Sequence, residues 1–429
     1  MKLTTCFLFS LTFSQAFAQN DWPDFRGPLT NGHVPSSHEN PDGSDLPLVW
    51  SETENVTWKT PIPHLGWSTP VIMNDQIWLT TATKDGHEFF VICVDAKTGE
   101  ILLNKKLFHS DNPEPLGNPL NGYASPSPVI EPGRVYVHFG SYGTACLDTE
   151  TFEVLWQRDD MPCRHFRGPG SSPFLFENSL ILSMDGVDVQ YMIALDKRTG
   201  KTLWKTDRSV EFKDLGPDGK PMAEGDFRKA YGTPILVEEN GEKQLITVGA
   251  KAAYSYNPAT GEELWKVRYD SFSGAARPVY GDGVVFIAAG FGPAELLAIR
   301  TDGRGDVKDS HIAWRRKQGA PEMPSPILVD DLLFWVNDNG VAYCVEAKTG
   351  AEVWRARIGG NYSSSLIYAA GRLYIFDCDG KGTVFKAGRK FEKLATNALD
   401  SGAMASPAVS GNALILRTKT HLYRVEKQK

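Results

Sequence analysis

Asp196-Lys-Arg-Thr-Gly200-Lys-Thr-Leu-Trp204 is one copy of a phrase that returns as Asp95-Ala-Lys-Thr-Gly99-Glu, Asn257-Pro-Ala-Thr-Gly261-Glu-Glu-Leu-Trp265 and Glu346-Ala-Lys-Thr-Gly350-Ala-Glu-Val-Trp354. Recurrence at such spacing marks one supersecondary unit used many times. Each copy reads as the turn of a β-hairpin: an apolar run precedes it, Asp or Asn can accept bonds from the turn backbone, and Gly takes the positive φ. Four residues after the Gly, a Trp falls on the returning strand, where its bulk reads as core packing and its indole N–H needs an acceptor.

Working outward, a second anchor lies between the hairpins: Ser68-Thr-Pro70, Ser127-Pro128, Ser172-Pro173, Thr233-Pro234, Arg277-Pro278, Ser325-Pro326, Ser364-Ser365-Leu and Ser406-Pro407. A polar turn such as Asn74-Asp75 or Asp282-Gly283 follows, then an apolar strand such as Gln76-Ile-Trp-Leu-Thr80. Four strands in each of the eight units, at about 45 residues per unit, predict an all-β fold, an eight-bladed β-propeller of four-stranded antiparallel blades. The last unit lacks its outermost strand. Asn55-Val-Thr-Trp58-Lys-Thr60 has the look of an outer strand and is expected to complete that blade, leaving no long edge open.

The Asp-x-x-Thr-Gly-x-x-x-Trp phrase, repeated round eight blades, resembles the PQQ-repeat family, the propellers of pyrroloquinoline quinone (PQQ) alcohol dehydrogenases and of the outer-membrane assembly factor BamB. The resemblance spans nearly all of the chain after residue 18 and implies the fold. It implies little about activity, because the motif residues hold blades together. Two copies are degenerate: Asp148-Thr-Glu-Thr-Phe152-Glu-Val-Leu-Trp156 has Phe for Gly, and residues 300–309 form an insertion before Trp314.

Met1-Lys2, the apolar run from Cys6 and the small-residue site Ala16-Phe-Ala18 read as a signal peptide over residues 1–18, cleaved before Gln19. Residues 19–54 then form an N-terminal extension and linker, with Trp22 and Phe25 anchored on the ring, and 55–429 a single propeller domain. No later stretch is apolar enough to span a bilayer, and no Cys follows the cleavage site to accept lipid, a departure from the BamB lipoprotein. The expected location is periplasmic or secreted, as a monomer. A net charge of −7 argues against general nucleic-acid binding. Cys93, Cys146 and Cys344 hold equivalent slots on different sheets, too far apart to bridge; Cys163 and Cys378 sit on distant blades.

Searching for chemistry, the sequence holds no zinc, serine-esterase or phosphate-loop pattern. PQQ dehydrogenases carry an adjacent cysteine pair over the quinone; none occurs here, so no cofactor is expected. Asp377-Cys-Asp379-Gly380 and Asn337-Asp-Asn339-Gly340 lack the downstream Glu of a calcium loop and read as hairpin turns, so no metal is expected either. Arg304-Gly-Asp306 reads as an exposed loop.

Propeller topology sends the residues before each anchor to one mouth of the central channel. These include Trp67, Tyr123, Arg164, His165, Arg167, Arg228, Lys229, Tyr231, Arg277 and Tyr362, with His64, Asn121, Glu322, Asn361 and Met404 beside them. Two long loops, Phe108 to Ala124 and Asp207 to Ala230, feed the same face. A cationic, aromatic funnel suits an anionic ligand such as an acidic glycan, or an envelope protein partner. The competing reading pairs these arginines with acidic loop tips such as Asp185, Asp188, Asp338, Asp377 and Asp379. A binding or scaffold module ranks first. An exported lyase or hydrolase on acidic polysaccharide ranks second, with Arg164, Arg167 or Arg228 neutralising a uronate and His165 or Tyr231 moving the proton. A PQQ-dependent dehydrogenase ranks third.

Overall fold

The computed structural model describes residues 21–35, 45–117 and 120–428, and the leader expected over residues 1–18 lies outside them. Among the described residues the strands form eight sheets. Blade one is Val71–Met73, Gln76–Ala82, Glu88–Asp95 and Ile101–His109, hydrogen-bonded in that order from the axis outward. Blades two to seven repeat it. Blade eight ends with His421–Val425, and Val56–Pro61 pairs antiparallel with it, Lys59 opposite Tyr423, so the start of the propeller supplies its last outer strand. The innermost strands are wholly buried in blade one, whereas its outer strand alternates, as expected for a sheet edge with one face toward a neighbour.

The apolar core lies between blades. One cluster joins Trp78 and Val91 of blade one to Val135 and Leu147 of blade two; another joins Trp265 and Ile246 of blade four to Val285 and Leu297 of blade five. Sheets packed face to face in this way bury area that no single blade could cover alone.

The repeated Trp links blades as well as packing within them. Trp58, Trp156, Trp204, Trp314 and Trp354 each donate the indole N–H to a turn carbonyl of the following blade, those of Ala96, Lys197, Pro258, Ala347 and Gly388, at 2.8–3.2 Å. The motif Gly sits flat on the ring: a Cβ at Gly200 or Gly261 would strike Trp156 or Trp204, and both glycines have φ above +70°. Where the repeat degenerates, a glutamine replaces the bond. Gln76 donates to Thr149 O at the junction of blades one and two, and Gln244 donates to Thr301 O at that of four and five, each oriented by a Trp indole on its own amide oxygen.

Two readings need revision. The insertion before Trp314 is not a plain loop of blade five: Gly305–Asp306 pairs parallel with Trp265 and Lys266, giving blade four a fifth strand, with Arg268 on Asp306 and Arg304 on Glu242. Residues 21–34 also do more than anchor two aromatics. They cross the base of the channel, Trp22 pairing with Ile72 of blade one, Pro23 O accepting from Ile130 of blade two, His33 reaching Leu328 O of blade six and Val34 bonding Tyr368 O of blade seven. Asp377 and Asn337 do close hairpin turns, their side chains accepting from Lys381 and Val341 N–H. Cys93, Cys146, Cys163 and Cys344 are buried, and with Cys378 they are free thiols.

Candidate functional site

The eight anchors form the throat of the channel. Proline holds the residue before it extended in seven of them, and six anchor N–H groups reach a hydroxyl of the next blade: Thr69 to Ser127, Ser127 to Ser172, Ser172 to Thr233, Arg277 to Ser325, Ser325 to Ser365 and Ser365 to Ser406, at 2.9–3.0 Å. Arg277 has no hydroxyl to offer and interrupts the ring after Thr233. Its guanidinium turns down onto Pro234 O and the carboxylate of Asp24.

Above this throat lies a cavity of about 330 Å³ whose wall draws on all eight blades. The hydroxyls of Thr69, Ser127, Ser172, Thr233, Ser365 and Ser406 ring its lower part, Phe25 lies at its base, and Trp67, Tyr231, Phe272, Phe291, Met323 and Met404 form apolar walls. Phe291 and Leu120, both more than half exposed, stand at the mouth. The loop from Asp207 to Ala230 supplies the charged part of the wall. Asp226 accepts from Arg167 at 3.1–3.2 Å and from the Lys229 ammonium, which also bonds Ser273 Oγ at 3.0 Å. Burial works against ionisation of Asp226, but Arg167 and Lys229 hold its carboxyl below the usual range. Burial lowers the Lys229 ammonium, opposed by Asp226. One carboxylate therefore balances one of two cations, and the wall is far less cationic than a count of basic residues suggests.

Of the ten funnel residues, Trp67, Arg167, Lys229 and Tyr231 line the cavity. The other six do not, each for a physical reason. Tyr123 is buried against Phe89 and Tyr142 with its hydroxyl on Glu114 O. Arg164 is exposed and pairs with Glu114. His165 is buried, its Nε2 accepting from Ser141 N–H with Cys163 Sγ 3.8 Å from Nδ1, and burial lowers its pKa to about 4. Arg228 is forked on Asp214 and lies over Phe212. Arg277 is below the throat on Asp24, and Tyr362 is in the core between blades six and seven. The arginines do pair with carboxylates, though with Glu114, Asp214, Asp226 and Asp24 rather than the loop tips expected. Glu322 stays half-buried beside Asp338, its carboxyl pushed up to about 7 by burial and then by that neighbour.

A family model described as outer membrane protein assembly factor BamB matches residues 31–209 and 306–428. The chain belongs to this BamB-like family of PQQ-repeat propellers. It is 23% identical over 233 residues to BamB of Yersinia pestis, 43% of this chain and 56% of that one. With BamB of Burkholderia pseudomallei it shares 33% over 97 residues, 21% and 23% of the two chains. The chain thus spans about half or less of the curated relatives it matches. In fold it is similar to BamB from Moraxella catarrhalis, TM-score 0.56 at 11% identity over 86% of this chain and 99% of that one. It is also similar to quinohemoprotein alcohol dehydrogenase from Comamonas testosteroni, TM-score 0.67 at 11% identity over 96% and 81%. Residues 210–305 fall between the two stretches matched by the family model, and they carry Asp226, Lys229, Tyr231, Phe272 and Phe291 of the cavity.

Sequence reasoning missed Phe25, Asp226, Phe272, Phe291 and Met323. The throat hydroxyls belong to the anchors themselves, whose repetition marks blade boundaries and carries no local sign that the hydroxyls line a cavity.

Proposed function

We propose that this chain is a non-catalytic binding module of the cell envelope whose axial cavity takes a small ring-bearing ligand with an anionic group. The observation that carries this reading is the axial cavity, walled by aromatic rings from loops outside the repeated phrases. Trp67, Phe272 and Phe291 offer faces to a sugar or aryl ring, and Asn121 and Ser125 offer polar groups beside them. Membership of a BamB-like family supports an envelope setting and leaves room for a protein partner on the same face. Among the described residues no helix is long and apolar enough to cross a membrane.

The lining does not fit PQQ as its dehydrogenases hold it: the chain has no adjacent cysteine pair to stand over the quinone, and among the described residues no cysteine lines the cavity. An acid–base role meets a similar obstacle: burial raises the Tyr231 phenol and lowers His165, which does not reach the cavity.

Trp67, one of eleven tryptophans, lines the cavity, so a ligand there alters part of the intrinsic fluorescence. Titration of intrinsic fluorescence with neutral sugars, uronates and aryl acids is expected to reveal saturable quenching by at least one class, weakened about tenfold or more in Phe272→Ala by the loss of one stacking face. Absence of quenching by every class, or equal binding by Phe272→Ala, would sink the cavity reading.

A further inference from the structure

Below its aromatic walls the cavity ends on hydroxyls whose donors are unspent. Ser127, Ser172, Thr233, Ser365 and Ser406 each accept one backbone N–H from the preceding blade. Among the described residues no acceptor takes their O–H groups. A hydroxyl has one donor and two acceptor sites, so each retains a donor, and all five line the cavity.

Behind the lining, around this ring, the interior charge is unbalanced. Arg26 follows Phe25 of the floor and gives its guanidinium to Leu366 O and Asn31 O. Arg277 occupies the fifth anchor position, and Arg417 bonds Ser68 O and Thr80 O beside Thr69 of the lining. All three are at most 3% exposed. Asp24 pairs with Arg277 and attracts Arg26, while among the described residues Arg417 bonds no carboxylate and burial alone lowers it to about 9. Arg26 falls to about 9 through burial and then repulsion from Arg277. Three guanidiniums against one carboxylate leave an excess positive charge in a poorly screened interior.

We infer that the floor of the axial cavity is an oxyanion seat: the ligand enters with a carboxylate, sulfate or phosphate group leading, takes O–H donors from the throat ring with the buried guanidiniums behind it, and leaves its ring between the aromatic walls. The seat rests on the reading of the cavity as a ligand site, and it locates the anion at the throat rather than against Arg167 and Lys229. Hydroxyl donors with net positive charge close behind them stabilise an anion and leave a neutral group of the same shape without the charge-assisted part of the bonding.

Calorimetry on the full chain with three probes tests it: glucuronate, glucose 6-phosphate and glucose. The expected result is that at least one of the two anions binds about tenfold or more tightly than glucose, the difference charge-assisted hydrogen bonds supply. Which anion wins separates a carboxylate from a phosphate ligand. The advantage is expected to disappear in Ser172→Ala/Ser365→Ala while Arg167→Met retains most of it. Glucose binding as tightly as both anions overturns the seat and leaves the cavity reading standing. An advantage lost in Arg167→Met but kept in the double serine variant also overturns it, moving the anion to the wall. Binding of none of the three overturns the seat, and the aryl acids of the fluorescence series then decide whether the cavity reading falls with it. The wild-type comparison needs no variant to fold.

Discussion

His165 shows what a residue loses when it leaves solvent. It stands before an anchor, among arginines, where the sequence places a mouth-facing base, yet it is buried against the Gly140 turn with both ring nitrogens engaged. His138 lies two strands away in the same blade interface, on Thr144 Oγ1 at 2.8 Å. Burial lowers the two to about 4 and about 3, His138 being pushed further by His165. Both folded values lie below the unfolded one of about 6.5. The native state therefore binds fewer protons than the unfolded chain as pH falls, so the stability contribution is complete above that value and lost on the way down to the folded pKa. Over that interval His165 is worth on the order of 3 kcal/mol and His138 on the order of 5. Glu322, raised to about 7, has the opposite sign and is only half-buried, so it offsets part of the slope between its ordinary range and neutrality. Urea midpoints are expected to hold level near neutrality and fall between about pH 6 and 4, with His165→Gln flattening the fall. A variant as acid-sensitive as the wild type would mean that His165 does not carry this term. Position along the chain told which blade His165 serves; depth within the blade was not legible, because loop residues before an anchor run from rim to core.

At the level of the blade, the turn phrase and the anchors were legible because each repeats under one physical constraint: a positive φ at Gly, a proline-extended backbone at the throat. What the sequence does not mark is the partner across a blade junction. Trp204 belongs to blade three by chain order, but its indole N–H and ring face serve the turn of blade four at Pro258 and Gly261. Trp204→Ala is therefore expected to cost about 3 kcal/mol in urea unfolding, the lower end of the range for a core aromatic because Trp204 is only partly buried, with its lost bond included. Trp204→Phe should recover most of the packing and leave Pro258 O without its donor. Hydrogen exchange gives the decisive view: protection should drop at the Asn257–Gly261 turn in blade four as well as in the strand carrying the substitution. Loss confined to blade three would contradict the junction role. The same limit explains Gly305–Asp306, whose parallel pairing with blade four follows from no local pattern, being an edge cover that only the neighbouring strand defines.

The whole ring is closed twice by the same end of the chain, and the two closures do different things. Val56–Pro61 completes blade eight, shielding His421–Val425, while residues 21–34 cross the base of the channel and place Asp24 on Arg277 and Phe25 under the cavity. The seam also has Arg417 of blade eight reaching Ser68 and Thr80 of blade one, where the hydroxyl ring has no link from Ser406 to Thr69 among the described bonds. A chain starting at Asp45 keeps Leu46, Trp50 and the closing strand within the cluster that joins blades seven, eight and one. It should keep the oligomeric state of the full chain, weakened by about 3–5 kcal/mol because Arg277 is left buried without its carboxylate. A chain starting at Ile62 loses the closing strand too and bares an edge with Leu422, Tyr423 and Val425. An open apolar edge recruits other strands, so that chain should appear as dimers and larger species in light scattering on a sizing column. If both truncations ran as monomers with equal melting midpoints, Val56–Pro61 would not be the strand that closes the ring. The shorter truncation carries a second consequence for the cavity: with Asp24 and Phe25 gone the channel runs open at its base, and any ligand held against the throat should dissociate faster from it than from the full chain.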